Sequence, residues 1–213
     1  MSQVNVTPAV VLPPAREAMS WLHTQMVPAS VHAPIDAGAL EDAAAELSSD
    51  GRPITPFQAF ANLTARALAE HPSVRQRRAN RGELRLQSWV NLGVAVPAAK
   101  GDFTVEVLPD VDLLDLSDLS EHCLAAIESA LPGSPPNSVP AILSHLGGHS
   151  VLHGVPVVVA HSVATFFLGA VERLGARWVR PVVVAYDLAV LDTREAVAFL
   201  TAIQDAIMRL TVA

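Results

Sequence analysis

The sequence predicts an α/β (α+β) fold, a mixed sheet covered by helices. Three observations carry that expectation. Of the 213 residues, 51% are hydrophobic and only 16% charged, a balance that suits a packed core rather than disorder. Short apolar runs alternate with segments of helical period, the pattern of strands with helices between them. The uninterrupted β-branched run Val182, Val183 and Val184 reads as a strand covered on both faces, and it feeds an amphipathic helix. The length is that of one domain, and no internal repeat divides it.

Residues 1–14 are expected as an extended arm, because Pro8, Pro13 and Pro14 oppose a helix. Residues 15–213 then form a single domain. A helix over 15–26 puts Met19, Leu22 and Met26 on one face. Segment 27–36, with Val31 and Ile35 among Pro28 and Pro34, suits a strand, and His32 within it reads as readily as a surface residue as a functional one. A short helix over 39–47 ends at Ser48, Ser49, Asp50 and Gly51. Thr55-Pro56 opens the clearest helix of the N-terminal half: a Thr N-cap, Pro at the first position, then Phe57, Phe60, Ala61, Thr64 and Leu68 on one face. It stops at His71-Pro72. Arg75, Arg77, Arg78, Arg81 and Arg85 follow in a segment read as a solvated polar loop, with an anion-binding patch as the other reading.

Two strands are expected next, over 86–97 with Trp89, Val90, Leu92, Val94 and Val96, and over 103–108 with Phe103, Val105 and Val107 alternating. A helix over 117–130 carries the one cysteine, Cys123, read as a buried apolar side chain. A Pro/Gly/Ser loop at 132–140 leads to a strand at 141–146 that Gly147-Gly148 closes. Segments 155–160 and 166–170 read as buried extended pieces, and 178–186 is the strand of the valine run. Asp187 ends it. Asp192, with Glu195 three positions on, has the signature of an N-cap and capping box. Ala196, Phe199, Leu200, Ile203, Ile207 and Leu210 then recur on one helical face.

The formal charge of -7, with no basic stripe, argues against a nucleic-acid surface. The N-terminus has neither the basic start nor the apolar core of a secretory signal. The longest apolar run, 155–171, is broken by Pro156, His161 and Ser162 and is too short to span a membrane. One cysteine excludes an internal disulfide, and the expected compartment is cytoplasmic. His149 and His153 are four apart but lack a third ligand of clear spacing, so they read as surface-loop histidines and no metal site is expected.

A strand that ends in a charged turn and feeds a helix is a common place for chemistry. Residues 182–200 resemble the signature of the dihydrolipoyl acyltransferase catalytic domain of 2-oxoacid dehydrogenase complexes, the fold shared with chloramphenicol acetyltransferase. That family carries Asp-His-Arg, two apolar residues and Asp-Gly, with Phe-Leu one turn along the next helix. Aligned on Phe199-Leu200, this chain keeps both aspartates, Asp187 and Asp192. Leu188 stands for the histidine, Ala189 for the arginine and Thr193 for the glycine. Further matches run in order. The strand from Asn91 through Val96 is similar to Asn-Ile-Gly-Val-Ala-Val, and Lys100-Gly101 to the turn after it. Leu143-Ser144-His145-Leu146-Gly147 is similar to Ile-Ser-Asn-Leu-Gly, and 156–169 to the Pro-Ile-Ile-Asn-Pro-Pro to Leu-Gly-Val-Gly stretch. Arg16 falls where the family has an N-terminal arginine, and Glu106 replaces a typical proline.

The resemblance implies a chloramphenicol acetyltransferase-like two-layer fold and a homotrimer with active sites in channels between subunits. It implies no bound cofactor and a CoA or carrier thioester as substrate; with no lipoyl-domain or Pro/Ala-linker features upstream, no lipoyl or subunit-binding domain is expected. In such a site a histidine takes a proton from the acceptor thiol or hydroxyl, and a serine stabilises the oxyanion. Ser144 maps to that serine, and reads equally as a hydroxyl satisfied within its strand. Asp187, Leu188, Asp192 and Arg16 are structural at the motif, Arg16 pairing with Asp192. His161 ranks first as a substitute base and His145 second. His161 also reads as a core histidine, and on a regular strand His145 faces away from Ser144. The function that follows is a diverged stand-alone acyltransferase passing an acyl group from a CoA or carrier thioester to a small-molecule acceptor. Two alternatives stand beside it: a channel repurposed for another reaction or for binding a specialised metabolite, and a non-catalytic trimeric scaffold.

Overall fold

The computed structural model describes residues 26–48, 53–78, 84–97, 103–129, 139–144, 150–159 and 162–210. In chain order its elements are β1 (Pro28–Asp36), α1 (Ala37–Leu47), α2 (Pro56–Glu70), β2 (Gln76–Arg78), β3 (Leu84–Leu86), β4 (Leu92–Pro97) and β5 (Phe103–Leu108). Then come α3 (Leu116–Ser129), β6 (Ala141–Ser144), β7 (Ala164–Leu168), β8 (Glu172–Leu174), β9 (Arg177–Asp187) and α4 (Thr193–Leu210). The main sheet runs β1-β9-β7-β6-β4-β5, with β8 paired to the start of β9. β6 is parallel to both its neighbours and the other pairs are antiparallel, so the sheet is mixed as expected.

Alternation along the strands sorts the side chains into two layers. Leu92, Val94, Leu143, Phe166, Val182, Val184 and Tyr186 join the main core with Leu40, Phe60, Leu68 and Phe199 of the helices. Val105, Ile142, Val139 and Val159 form a smaller cluster on the other face. The valine run of β9 is fully buried, each side chain worth about 1.5–3 kcal/mol over exposure. Cys123 is buried, and burial pushes its thiol up to about 12.

Each helix begins at a side chain that satisfies its free amides. Asp36 Oδ1 accepts from the Ala39 amide at 2.9 Å, which starts α1 two residues earlier than the expected 39. Thr55 and Gln58 make a full capping box at α2. Asp115 Oδ1 accepts from the Asp118 amide at 2.9 Å ahead of α3.

The structure departs from the sequence reading in three places. The expected strand 86–97 is two elements: Leu86 belongs to β3, and β4 begins at Leu92. Between them the Gln87 amide donates to the Arg75 carbonyl, and Asn91 Oδ1 accepts from the Asp110 amide, so those groups leave the sheet. The arginine-rich segment is no simple loop, since Gln76–Arg78 and Leu84–Leu86 pair as an antiparallel ribbon. Residues 155–159 of the expected buried piece 155–160 are an irregular strap with Val155 and Val157 exposed. The arm 1–14 and the helix over 15–26, save Met26, lie outside the described residues. No helix among the described residues is long and apolar enough to cross a membrane.

Candidate functional site

The turn after β9 is built around Asp187, which is 3% exposed. Its Oδ1 accepts from the Val27 and Ala189 amides, both at 3.1 Å, and its carbonyl accepts from the Val190 and Leu191 amides, both at 2.9 Å. The Leu188 amide donates to the Val27 carbonyl at 2.8 Å. The carboxylate therefore holds both the entry to β1 and the tight reversal after β9. Leu191 is buried, whereas Leu188 is 43% exposed. The turn presents an apolar side chain with no proton to move.

Asp192 closes the turn as the N-cap of α4. Its Oδ1 accepts from the Arg194 amide at 2.7 Å and the Glu195 amide at 3.0 Å, while Glu195 Oε2 accepts from the Asp192 amide at 3.0 Å. This is the capping box expected from the sequence. The bond from the Glu195 amide holds the Asp192 carboxyl below the usual range, with the Arg194 amide and guanidinium adding to it against some desolvation. Tyr186 enters the sequence reading only as the end of its strand. It is buried, and its hydroxyl meets Thr193 Oγ1, which bridges strand and helix across the turn.

Ser144 ends β6, half-buried, on the face away from the helices with Ile142. Its strand partners are Ala95 in β4 and Phe167 in β7, and Phe167 pairs in turn with Val183 of β9. Leu188 is two strands across and five residues along from that row. At ordinary strand spacings the separation is roughly 19 Å, so the two cannot share a proton within one chain.

What lies at Ser144's end of the sheet is the strap 150–159. Gly154 packs on the Phe167 ring, and a Cβ there would stand 3.6 Å from it. Gly169 has no room for a Cβ, which would run into the Leu152 carbonyl and the Pro181 ring. The Ala170 amide donates to the Val151 carbonyl at 2.8 Å. The strap presents His153, whose Nε2 is 3.1 Å from Glu172 Oε1; the side chains are 57% and 26% exposed. Local spacing could not have linked residues so far apart in sequence. Of the sequence candidates, Ser144, Asp187, Leu188 and Asp192 are placed, and the last three share one turn. His145, His161 and Arg16 lie outside the described residues.

The sequence matches the family model of the 2-oxoacid dehydrogenases acyltransferase (catalytic domain) over residues 15–212. A search of curated proteins finds no match. Among solved structures the chain is similar to Azotobacter vinelandii dihydrolipoamide acetyltransferase, 20% identical, covering 100% of this chain and 99% of that one, with a TM-score of 0.79. In that enzyme a serine, a histidine and an asparagine were investigated for roles in the catalytic mechanism, the last two being four positions apart. It is similar to the cubic core of the pyruvate dehydrogenase multienzyme complex, 19% identical over 100% and 99% of the two chains, TM-score 0.77. Chloramphenicol acetyltransferase is 13% identical over 92% and 96%, TM-score 0.60.

Proposed function

The chain belongs to the 2-oxoacid dehydrogenase acyltransferase (catalytic domain) family, and from that premise we propose that it transfers an acyl group from a CoA or carrier thioester to a small-molecule thiol or hydroxyl. The observation that carries this reading is Ser144, whose hydroxyl sits at a strand end, half-buried, on the face opposite the described helices. Such a donor suits the oxyanion of a tetrahedral intermediate. The spacing of Leu188 and Asp192 equals that of the histidine and asparagine studied in the Azotobacter enzyme. A histidine elsewhere, with His161 and His145 the sequence's candidates, supplies the base that Leu188 does not.

The separation of Ser144 from Leu188 within one chain favours a channel between copies, as in the homotrimer that the family resemblance implies. Asp192 then has a second task, pairing with Arg16 across the subunit core. Incubation with acetyl-CoA and a panel of thiol and hydroxyl acceptors, followed by CoA release, tests the reading. Acceptor-dependent release is expected. The exposed Leu188 favours a second reading, a channel that binds a metabolite without transfer. Tight acceptor binding with no release under any condition would select it.

A further inference from the structure

We infer that His153, oriented by Glu172, is the general base that works with Ser144 of the same chain. This rests on the acyl-transfer reading and supplies the group that Leu188 takes away. A histidine base needs a third group that fixes its ring and stabilises the imidazolium formed in the reaction. Among the described histidines, His153 is the one set against a carboxylate. His32 meets the Ser30 hydroxyl, His122 the Asp118 carbonyl, and His71 the ring of Phe199. The pair is asymmetric in the useful sense: the imidazole is open to a reactant, and Glu172 is mostly shielded.

Placement makes the same case. Gly154, the next residue, rests on Phe167, whose strand partner is Ser144. By register Glu172 stands opposite Val179, on Ser144's face of the sheet and four residues along β9 from Val183 of Ser144's row. At strand spacing that is roughly 13 Å, a span for the His153 side chain, the acceptor and the thioester carbonyl to cover together. The strap is fixed by the close approach of Leu152 to Gly169 and by the Val151–Ala170 bond. With Nε2–H donated to Glu172, Nδ1 carries the lone pair. It takes the proton of the acceptor S–H or O–H as that atom bonds to the thioester carbonyl carbon. The carbonyl electron pair moves to oxygen, to which the Ser144 hydroxyl donates. The carbonyl then re-forms, the carbon–sulfur bond breaks, and the leaving thiolate recovers the proton from Nδ1. Nothing is oxidised or reduced.

Steady-state acetyl-CoA turnover, with the best acceptor of the panel, tests the assignment. His153→Gln is expected to lower kcat about 10²–10⁴-fold with KM for acetyl-CoA little changed. His153→Gly should regain activity with added imidazole, which a purely structural histidine would not allow. Glu172→Gln should lower kcat about tenfold or more at unchanged KM, and His122→Gln should match wild type. Wild-type kcat in both His153 variants, or a loss confined to His161→Gln or His145→Gln, overturns the assignment alone. A wild type that releases no CoA with any acceptor overturns the acyl-transfer reading and the base with it.

Discussion

The hydroxyl of Tyr186 stands 2.8 Å from Oγ1 of Thr193, so the last core side chain of β9 is tied to the first residue of α4 across the turn that displays Leu188. The bond joins a fully buried ring to an exposed residue. Tyr186→Phe keeps the packing and removes only this link. Urea unfolding should show a loss of about 1 kcal/mol, the usual net worth of one such bond. An unchanged midpoint would mean that the two hydroxyls do as well with water.

Asp192 gives an acid-sensitive cap. Its carboxyl is held low in the folded chain, chiefly by the Glu195 amide. Folding therefore gains from the charged form at pH above the ordinary carboxylate value, and the gain disappears as pH falls through the lower folded value. Asp192→Ala should lower the melting temperature by roughly 2–4 °C near neutrality, the shift that a lost cap makes in a domain of this length. The gap between variant and wild type should close in strong acid. A gap independent of pH would refute the charge argument.

Gly169 is a packing glycine rather than a turn glycine. Gly169→Ala would force its methyl against the Leu152 carbonyl and the Pro181 ring, at a cost of about 1–3 kcal/mol. The strap should shift with it, so acetyl transfer should fall even where the variant remains folded. Crystallography or amide exchange at residues 150–159 would register the shift. A stable variant with an undisturbed strap would contradict the close packing.

Leu188 is exposed enough to replace cheaply, so Leu188→His should change stability by no more than about 0.5 kcal/mol. If the channel runs between copies, the new imidazole meets a neighbour's Ser144 and can accept a proton there. The double variant Leu188→His, His153→Gln should therefore regain acetyl transfer that His153→Gln lacks. Light scattering should give a mass near three times 22.5 kDa for both. A monomer that still shows the rescue would rule out a shared site.

Much of this was legible because it is local. The caps at Thr55 and Asp192 lie within four residues of the amides they satisfy, and the valine run of β9 needs no partner to be read. The turn after Asp187 was legible too, because the valine run ends there and Asp192 opens the helix five residues on. The break between β3 and β4 was hidden because Trp89, Val90 and Leu92 look like one strand. Only the pairing of β2 with β3, and the reach of Asn91 to Asp110, divide them. Residues 155–160 read as a buried strand for a similar reason: the valines are strand-forming, but only Val158 and Val159 are buried, while Val155 and Val157 are exposed. The His153–Glu172 pair needs the return of the chain through β7, which no local spacing reveals.

The edge strand β1 has a consequence for encounters between chains. In its antiparallel pairing with β9, Pro34 stands opposite Pro181 and Pro28 opposite Asp187. Val27 turns its carbonyl to the Leu188 amide, so by alternation the outward positions are Pro28, Ser30, His32 and Pro34. Two of these four have no amide hydrogen, and the Pro34 carbonyl is already taken by the Gln204 side chain at 2.9 Å. A foreign strand arriving here would find donors only at Ser30 and His32, too few to template a continued ladder. Among the described residues this margin offers little to fibril-like growth, so copies of the chain that meet at β1 would do so through side chains rather than by zipping backbone to backbone.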